Sequence, residues 1–148
     1  DLVKAMGNIQ SHESGNPSSL SQAAAVAAVA DERDAVTALR DELAGRRDEL
    51  IDLLAGIPGL GVTVPAGTFY SFCDFSVFDT DSTRLSERLL EKVQVVTVPG
   101  VEFGMEGHLR ISFCGSSEDI REGVRRIAWL LDPAGSPQLE TAGRVFRR

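Results

Sequence analysis

The chain has 148 residues, 43% of them hydrophobic and 25% charged, which is the composition of an ordinary globular domain. Its formal net charge of −7 argues against nucleic acid as a partner, because binding to phosphates needs a positively charged surface. The longest run of small apolar residues, 23–30, is too short to cross a bilayer, and no signal peptide pattern is present, so we expect no membrane partner.

The first third of the chain is predicted to be helical. It opens at Asp1 without a start signal, which we interpret as the interior of a longer protein. Asn16-Pro17 predicts a helix start, since Asn is a favoured N-cap and Pro is tolerated at the first helical position. The Ala-rich stretch at residues 23–30 predicts a buried helix, because small side chains let neighbours approach closely. Apolar residues at helical spacing predict a second helix over residues 31–55, long enough to connect two domains.

Strands and helices alternate over residues 60–131. Strands are predicted at residues 61–64, 68–75, 95–98 and 108–113, and helices at residues 82–92 and 116–131. The 68–75 strand is apolar on both faces, which predicts an interior strand covered on both sides. The pattern indicates an α+β fold, a two-layer unit in which helices pack on a small mixed or antiparallel sheet, preceded by two helices.

The predicted strand at 108–113 has the clearest alternation of apolar and polar residues. Leu109, Ile111 and Phe113 face one way, and His108, Arg110 and Ser112 face the other. Ser116 and Asp119 form a capping-box pattern at the start of the helix that follows.

The two cysteines, Cys73 and Cys114, are too few for a secreted disulfide framework. A reducing cytoplasm is therefore the expected compartment. Both cysteines lie in apolar strand-like runs, which predicts buried free thiols.

Four segments carry distinctive patterns, in this order along the chain: GNIQSHESGNPSSLSQ at residues 7–22, PAGTFYSF at 65–72, VVTVPGVEFGMEGHLRISF at 95–113 and SSEDIREGVRRI at 116–127. They resemble, in order and spacing, motifs of the class I and II, aspartate aminotransferase-like enzymes, which are fold-type I proteins dependent on pyridoxal 5'-phosphate (PLP). Thr68 replaces the alanine that is usual in the second motif. The resemblance extends from residue 1 to about residue 131.

The resemblance implies a domain organisation. In such enzymes a large domain carries PLP, and a small domain closes over the substrate. Residues 1–30 would be the end of the large PLP-binding domain, residues 31–56 the interdomain helix and residues 57–131 the C-terminal small domain. Residues 132–148 would be a tail outside the resemblance. It also implies a homodimer that acts on an amino acid and a 2-oxo acid.

Arg110 is the strongest candidate site residue. It matches the arginine that, in the family, binds the substrate α-carboxylate. A planar guanidinium can donate two parallel hydrogen bonds to a carboxylate, which fixes its orientation as well as its charge. Alternation alone favours an ordinary surface arginine in an ion pair, whereas the surrounding GHLRIS pattern favours the carboxylate-binding role.

The resemblance implies further roles for other residues. Phe103 would be an apolar wall near the substrate, or alternatively a phenylalanine that fills the small core. Ser14 and Asn16 would run along the dimer interface close to the cofactor of the other subunit, and Asn16 would also cap its helix. Tyr70, on its predicted strand, is expected to be a core or interdomain packing residue.

No metal site is predicted. His12 and His108 have no partners at metal-ligand spacing, so each is expected to be a surface or hydrogen-bonded residue.

The chain contains only two lysines, Lys4 and Lys92. PLP enzymes hold the cofactor as a Schiff base on a lysine, whose amine also moves the proton during transamination. Neither lysine matches the attachment lysine of the family. The chain is therefore expected to supply the carboxylate-binding arginine without the catalytic lysine, and to be inactive alone.

Three functions are compatible with these residues. In the first, the parent protein is an aminotransferase that moves an amino group between an amino acid and a 2-oxo acid. In the second, it is a related PLP-dependent lyase or synthase that shares the arginine. In the third, it is a non-catalytic aminotransferase-like module that binds a ligand or partner.

Overall fold

The computed structural model describes residues 1–14, 16–31 and 33–148. The chain divides into two compact units, Asp1–Leu39 and Arg40–Arg148. Residue 32, at the predicted junction of the two N-terminal helices, lies outside the described residues. Within the three described ranges, no helix is both long and apolar enough to cross a membrane.

The first unit consists of helices with exposed side chains. Helix α1 spans Leu2–Glu13, α2 spans Ser19–Asp31, and α3, which begins in this unit, spans Arg33–Ala55. The exposed side chains include large apolar ones, namely Leu2, Val3, Met6, Ile9, Leu20, Val26, Val29, Val36 and Leu39. The prediction that the Ala-rich helix is buried is wrong in this structure, because no described element of the unit covers α2.

The start of α2 also differs from the prediction. The helix begins at Ser19 rather than at Pro17. The Ser18 carbonyl accepts a helical hydrogen bond from the Gln22 amide (3.0 Å), and the Gln22 side chain donates to the Pro17 carbonyl (3.0 Å). Asn16 therefore precedes the helix and is exposed, so its predicted role as N-cap is wrong.

The second unit has an α+β fold, as predicted. After α3 its elements are β1 (Tyr70–Asp74), α4 (Ser82–Val93), β2 (Val98–Pro99), a 3₁₀ helix (Gly100–Phe103), β3 (His108–Ser112), α5 (Ser117–Leu131), β4 (Gln138–Thr141) and β5 (Arg144–Arg147). Strands β1, β3 and β2 form an antiparallel sheet with β3 in the centre, and β4 pairs with β5.

Strand β1 lies at an edge of the sheet, so the prediction of an interior strand is wrong. Beyond β1 there is an isolated bridge, in which Gly61 and Asp74 exchange backbone hydrogen bonds of 2.9 and 2.8 Å. The predicted strand at 61–64 does not continue from this bridge. The Ser71 hydroxyl donates to the Thr63 carbonyl (3.2 Å), and this side-chain contact occupies an acceptor that a strand ladder would use.

One face of the three-stranded sheet is buried against helices. The alternation predicted for β3 is confirmed, since Leu109 and Ile111 are buried together with Phe113 just beyond the strand. The helices contribute Leu50, Leu54, Leu85, Leu89, Val93, Ile120, Val124, Ile127, Leu130 and Leu131 to the same core. Burial of one such side chain stabilises the fold by about 1.5–3 kcal/mol, so this face holds the sheet firmly in place.

Side chains cap the two helices that cover the sheet. At α4, the Asp81 carboxylate accepts a hydrogen bond from the Arg84 amide (2.9 Å). At α5, the Ser116 hydroxyl accepts from the Asp119 amide (3.1 Å), while the Asp119 carboxylate accepts from the Ser116 amide (3.3 Å). The predicted capping box is therefore confirmed.

Strands β4 and β5 form a hairpin that the weak pattern of residues 132–148 did not predict. Ala142 and Gly143 join them with positive φ values of 47° and 68°, as a tight two-residue hairpin turn requires. Phe146 is buried, and its ring centroid lies 4.7 Å from the guanidinium carbon of Arg126 on α5. The hairpin therefore packs against α5.

Thr141 joins the hairpin to a partly buried charge pair on α5. Its hydroxyl donates to Oε2 of Glu122 (2.6 Å) and accepts from Nη1 of Arg125 (3.2 Å). Nε of Arg126 donates to the same Glu122 carboxylate (2.8 Å). Burial alone would raise the pKa of Glu122, but the hydrogen bonds from Thr141 and Arg126 outweigh it and lower that pKa.

Thr141→Val removes the hydroxyl and keeps the shape of the side chain. We expect the free energy of unfolding at pH 7, measured by urea titration, to fall by about 1–3 kcal/mol because Glu122 and Arg125 each lose a partner. The matched control is Thr80→Val, at an exposed threonine.

The contribution of Glu122 to stability should depend on pH. Because the pKa of Glu122 is lowered on folding, this contribution is present above the ordinary carboxyl pKa and is lost as the pH falls through the pKa of the folded state. If the free energy of unfolding of Thr141→Val fell below that of the wild type by the same amount at pH 7 and at pH 3, the assignment would be contradicted.

The exposed apolar residues of the first unit lead to a second prediction. We expect chain 1–148 to self-associate in sedimentation velocity experiments, because its first helices present a large apolar surface to water. A variant with Val3→Gln, Ile9→Gln, Leu20→Gln and Val29→Gln should sediment as a monomer. Sedimentation of the unaltered chain as a single monomeric species would show the prediction to be wrong.

Candidate functional site

The second face of the sheet carries an aromatic cluster around Arg110. The strand register places Phe72 opposite Arg110, and Tyr70 and His108 lie two pairs away, one in each direction along the strands. All four side chains are partly buried, and they point away from the core because they alternate with Ser71, Cys73, Leu109 and Ile111. The candidate site is thus built on two neighbouring strands whose other face is fixed by the core.

Two aromatic rings flank the guanidinium of Arg110. Its central carbon lies 4.9 Å from the ring centroid of Tyr70 and 5.0 Å from that of Phe103. Both distances are within the range in which an aromatic ring attracts a cation. The predicted site residues Arg110 and Phe103 are therefore brought together, and Tyr70 joins them from β1.

The guanidinium of Arg110 has no hydrogen-bond or ion-pair partner among the residues that the structure describes. The other partly buried arginines of this unit each pair with a carboxylate: Arg46 with Glu42, Arg47 with Asp48 and Arg126 with Glu122. In the described chain no buried side-chain nitrogen or oxygen lacks a partner, so the unpartnered nitrogens of Arg110 must reach solvent. An anion can therefore approach a preformed set of donors.

Phe103 enters the cluster from the loop between β2 and β3. Its ring packs edge-on against Phe72 with centroids 5.8 Å apart, and half of the residue is exposed. The loop folds back tightly at Gly100, where a Cβ atom would collide with the carbonyl oxygens of Met105 and His108. Gly100 therefore has to be glycine for the loop to place Phe103 here.

Ser82 and Glu106 anchor this loop to the start of α4. The Glu106 carboxylate accepts hydrogen bonds from the Ser82 amide (3.0 Å) and hydroxyl (2.7 Å), and the Ser82 hydroxyl accepts from the Val101 amide (3.1 Å). These bonds, led by the one from the Ser82 amide, lower the pKa of Glu106. No local sequence pattern predicts this pair, because the two residues are 24 positions apart.

Tyr70 occupies a different environment from the one predicted. It is partly exposed and does not belong to the core, and its ring packs edge-on against Phe69 with centroids 5.7 Å apart. A cavity of about 310 Å³, lined by Thr63, Pro65, Ala66, Gly67, Thr68, Tyr70 and Phe72, lies next to the cluster. The first alternative, a core residue, is wrong, because Tyr70 shares its strand face with Phe72 and not with Cys73, whereas the second, an interdomain packing residue, stays a prediction.

The remaining candidate residues lie elsewhere. Ser14 ends α1, where its hydroxyl donates to the Gln10 carbonyl (3.3 Å), and Asn16 follows it; both are exposed in the first unit. His12 is exposed in the same unit, whereas Nδ1 of His108 lies 3.0 Å from the Glu106 carbonyl oxygen.

The two thiols differ in their surroundings. Cys73 is buried as predicted, and this burial raises the pKa of its thiol. Cys114 is exposed, so the prediction is wrong there, since β3 has already ended at Ser112.

No lysine of the second unit lies beside Arg110. Lys92 is exposed in the last turn of α4, and α4 covers the buried face of the sheet through Leu85 and Leu89. Lys4 belongs to α1 of the first unit. The described residues 40–148 thus place no lysine amine beside the Arg110 guanidinium.

Comparison with known proteins places these features in a family. Residues 1–127 match the family model for aminotransferase class I and II. The chain is 36% identical over 137 residues to a probable aspartate/prephenate aminotransferase of Aquifex aeolicus, covering 89% of the chain and 35% of the relative. It is also 36% identical over 143 residues to an aspartate aminotransferase of Streptomyces avermitilis, covering 90% and 35%. The chain therefore spans about a third of the length of these relatives.

Solved structures show the same similarity. An aromatic aminotransferase of Pyrococcus horikoshii superposes with a TM-score of 0.81 at 32% identity, covering 87% of the chain and 35% of that structure. An aspartate aminotransferase of Thermus thermophilus with maleate superposes with a TM-score of 0.78 at 35% identity, covering 85% and 33%.

Ser82→Ala tests how the loop that carries Phe103 is anchored. We expect a loss of about 1–3 kcal/mol in the free energy of unfolding, measured in urea, because Glu106 and the Val101 amide each lose a hydrogen bond. Thr83→Ala, at the exposed neighbouring position, is the control. If both variants unfold at the same urea concentration as the wild type, the Ser82 hydroxyl does not anchor the loop.

Proposed function

Because the chain belongs to the class I and II aminotransferase family, we propose that its Arg110 binds the α-carboxylate of the substrate in a PLP-dependent aminotransferase. The observation that carries this proposal is the partly buried guanidinium, which has two aromatic neighbours and no carboxylate partner among the described residues. The reaction would move an amino group from an amino acid to a 2-oxo acid. Both substrates carry a carboxylate next to the reacting carbon, so one arginine can orient either of them.

The chemistry of Arg110 suits this role. A guanidinium donates two parallel N–H bonds to the two oxygens of a carboxylate, which fixes the direction of the bound molecule. Rigid placement matters because the bond to be broken at the α-carbon must be aligned with the cofactor, and misplacement by about 1 Å costs about 100-fold in rate. Strand β3 provides this rigidity, since Leu109 and Ile111 on either side of Arg110 are buried in the core.

The named relatives support a carboxylate substrate. The Thermus thermophilus structure contains maleate, a small dicarboxylate. The curated relatives reported above are named for aspartate or for aspartate and prephenate, and the Pyrococcus horikoshii structure for aromatic substrates. We propose that the chain contributes to an enzyme for amino acids of this kind. The names favour an aminotransferase over a PLP-dependent lyase or synthase and over a non-catalytic module.

The family implies PLP, which when bound supplies the electron sink and carries the amino group. The second unit does not fit as the holder of this cofactor, because Lys92 lies at the end of α4, on the helix that covers the buried face of the sheet. We therefore assign to residues 40–148 the binding and orientation of substrate, and no step on the cofactor.

The proposal extends to the domains. Residues 1–30 would complete the large PLP-binding domain, residues 31–56 would form the interdomain helix, and residues 57–131 would form the small domain, followed by the tail at 132–148. The exposed apolar side chains of the first unit support this division, because a neighbouring domain would cover them. Ser14 and Asn16 would lie at the interface of a cytoplasmic homodimer, close to the cofactor of the other subunit.

Arg110→Met tests the role of Arg110 in the assembled aminotransferase. We expect kcat/KM for the amino acid and for the 2-oxo acid to fall together by about 30-fold or more, because loss of a charged partner in such a pair costs about 2–5 kcal/mol. Arg110→Lys keeps the positive charge but lacks the parallel N–H donors of a guanidinium, so it should recover only part of the lost kcat/KM. The matched control is Arg88→Met, at an exposed arginine of α4. A kcat/KM for Arg110→Met equal to that of the control would refute the proposal.

A further inference from the structure

The side chain of Arg110 needs something to hold it in place. An arginine side chain has about 2 kcal/mol of rotamer entropy, which must be lost before its donors can present a fixed geometry. Arg46, Arg47 and Arg126 are held by carboxylates, whose oxygens occupy their N–H groups. A carboxylate at Arg110 would compete with any incoming anion, so this site has to be ordered in another way.

We propose that Tyr70 and Phe103 are positioning residues whose aromatic rings hold the Arg110 guanidinium in place and leave its N–H groups available to a carboxylate. This inference rests on the proposed function. The two ring centroids lie at nearly equal distances from the guanidinium carbon, 4.9 and 5.0 Å. A ring attracts the positive charge through its face and accepts none of the hydrogen bonds that a carboxylate would take.

The two rings come from separate elements, and each has its own support. Tyr70 is on β1, diagonally across the strand pair from Arg110, which is within reach of an aromatic side chain. Phe103 ends the 3₁₀ helix and rests edge-on against Phe72, which also stacks on His108 with centroids 5.2 Å apart. The guanidinium is therefore placed by two independently fixed walls.

The two aromatic rings would also strengthen the hydrogen bonds between Arg110 and a bound carboxylate. Two aromatic rings within about 5 Å of the guanidinium carbon take up space that water would otherwise occupy, and a charged hydrogen bond is stronger where water is excluded. The N–H groups of Arg110 stay accessible, because no buried side-chain nitrogen in the described chain lacks a partner. Tyr70 thus has a role beyond packing, and Phe103 acts on the arginine rather than only on the substrate.

The first test observes the stacking in chain 1–148 without any ligand. Aromatic ring currents shift the NMR signals of an arginine that lies over a ring face, so the δ and ε protons of Arg110 should be displaced from ordinary arginine values. Tyr70→Leu and Phe103→Leu should each move these signals back toward ordinary values, whereas Tyr70→Phe should not. Phe146→Leu is the matched control, because it removes a ring 4.7 Å from Arg126 and should move only that arginine. Ordinary shifts for Arg110 in the wild type would overturn the inference.

The second test measures binding with maleate as the probe. Titration of the wild type and the same four variants, followed on the Arg110 signals, should show the affinity for maleate reduced by about two- to tenfold in Tyr70→Leu and in Phe103→Leu. Tyr70→Phe and Phe146→Leu should bind like the wild type. If both leucine variants bound maleate as tightly as the wild type, the inference would be overturned, even if the NMR shifts of the first test showed the rings stacked on Arg110.

The third test separates this inference from the proposed function. In the assembled aminotransferase, Tyr70→Leu should raise KM and lower kcat for both substrates, and Tyr70→Phe should restore both constants. If Arg110→Met leaves kcat/KM unchanged, the proposed function fails and the inference fails with it. If Arg110→Met is inactive while Tyr70→Leu and Phe103→Leu are fully active, the function stands and the positioning role is wrong.

Discussion

The candidate site depends on the positive charge of Arg110, which is held in place without a negative partner among the residues that the structure describes. The pleat of β3 points Leu109 and Ile111 into the core and Arg110 to the opposite face, so packing energy on one side fixes the position of a charge on the other. Burial of apolar side chains stabilises the sheet, and the aromatic rings compensate part of the cost of taking a guanidinium out of water. The site is therefore ordered before any anion arrives.

Contacts between distant parts of the chain hold the strands and the loop around Arg110 in place. The Gly61–Asp74 bridge extends the pairing beyond β1, and the Ser82–Glu106 bonds hold the loop of Phe103 to α4. The β4–β5 hairpin packs on α5. Its Thr141 hydroxyl donates a hydrogen bond to the partly buried Glu122 carboxylate, which also accepts one from Arg126. None of these contacts touches Arg110, yet together they determine where its neighbours can lie.

Much of this unit could be predicted from the sequence, and the reason for each failure is physical. The alternation at 108–113 and the capping box at Ser116 are local patterns, so both were predicted correctly. The edge position of β1 and the exposure of Tyr70 depend on which strands pair, and periodicity does not encode pairing. The role proposed for Arg110 is suggested only by the motif around it, since alternation alone does not distinguish it from a surface arginine.

The two-residue repeat of β3 has a consequence for how the protein can change. Removing or adding one residue in this strand would exchange its two faces. The Arg110 guanidinium would then point into the core, and the Leu109 and Ile111 side chains would point into water. Length changes are therefore excluded from the strand and can accumulate only where the chain turns. New ligand preferences would have to arise from the loop between β2 and β3, which can be remodelled around a charge that itself stays in place.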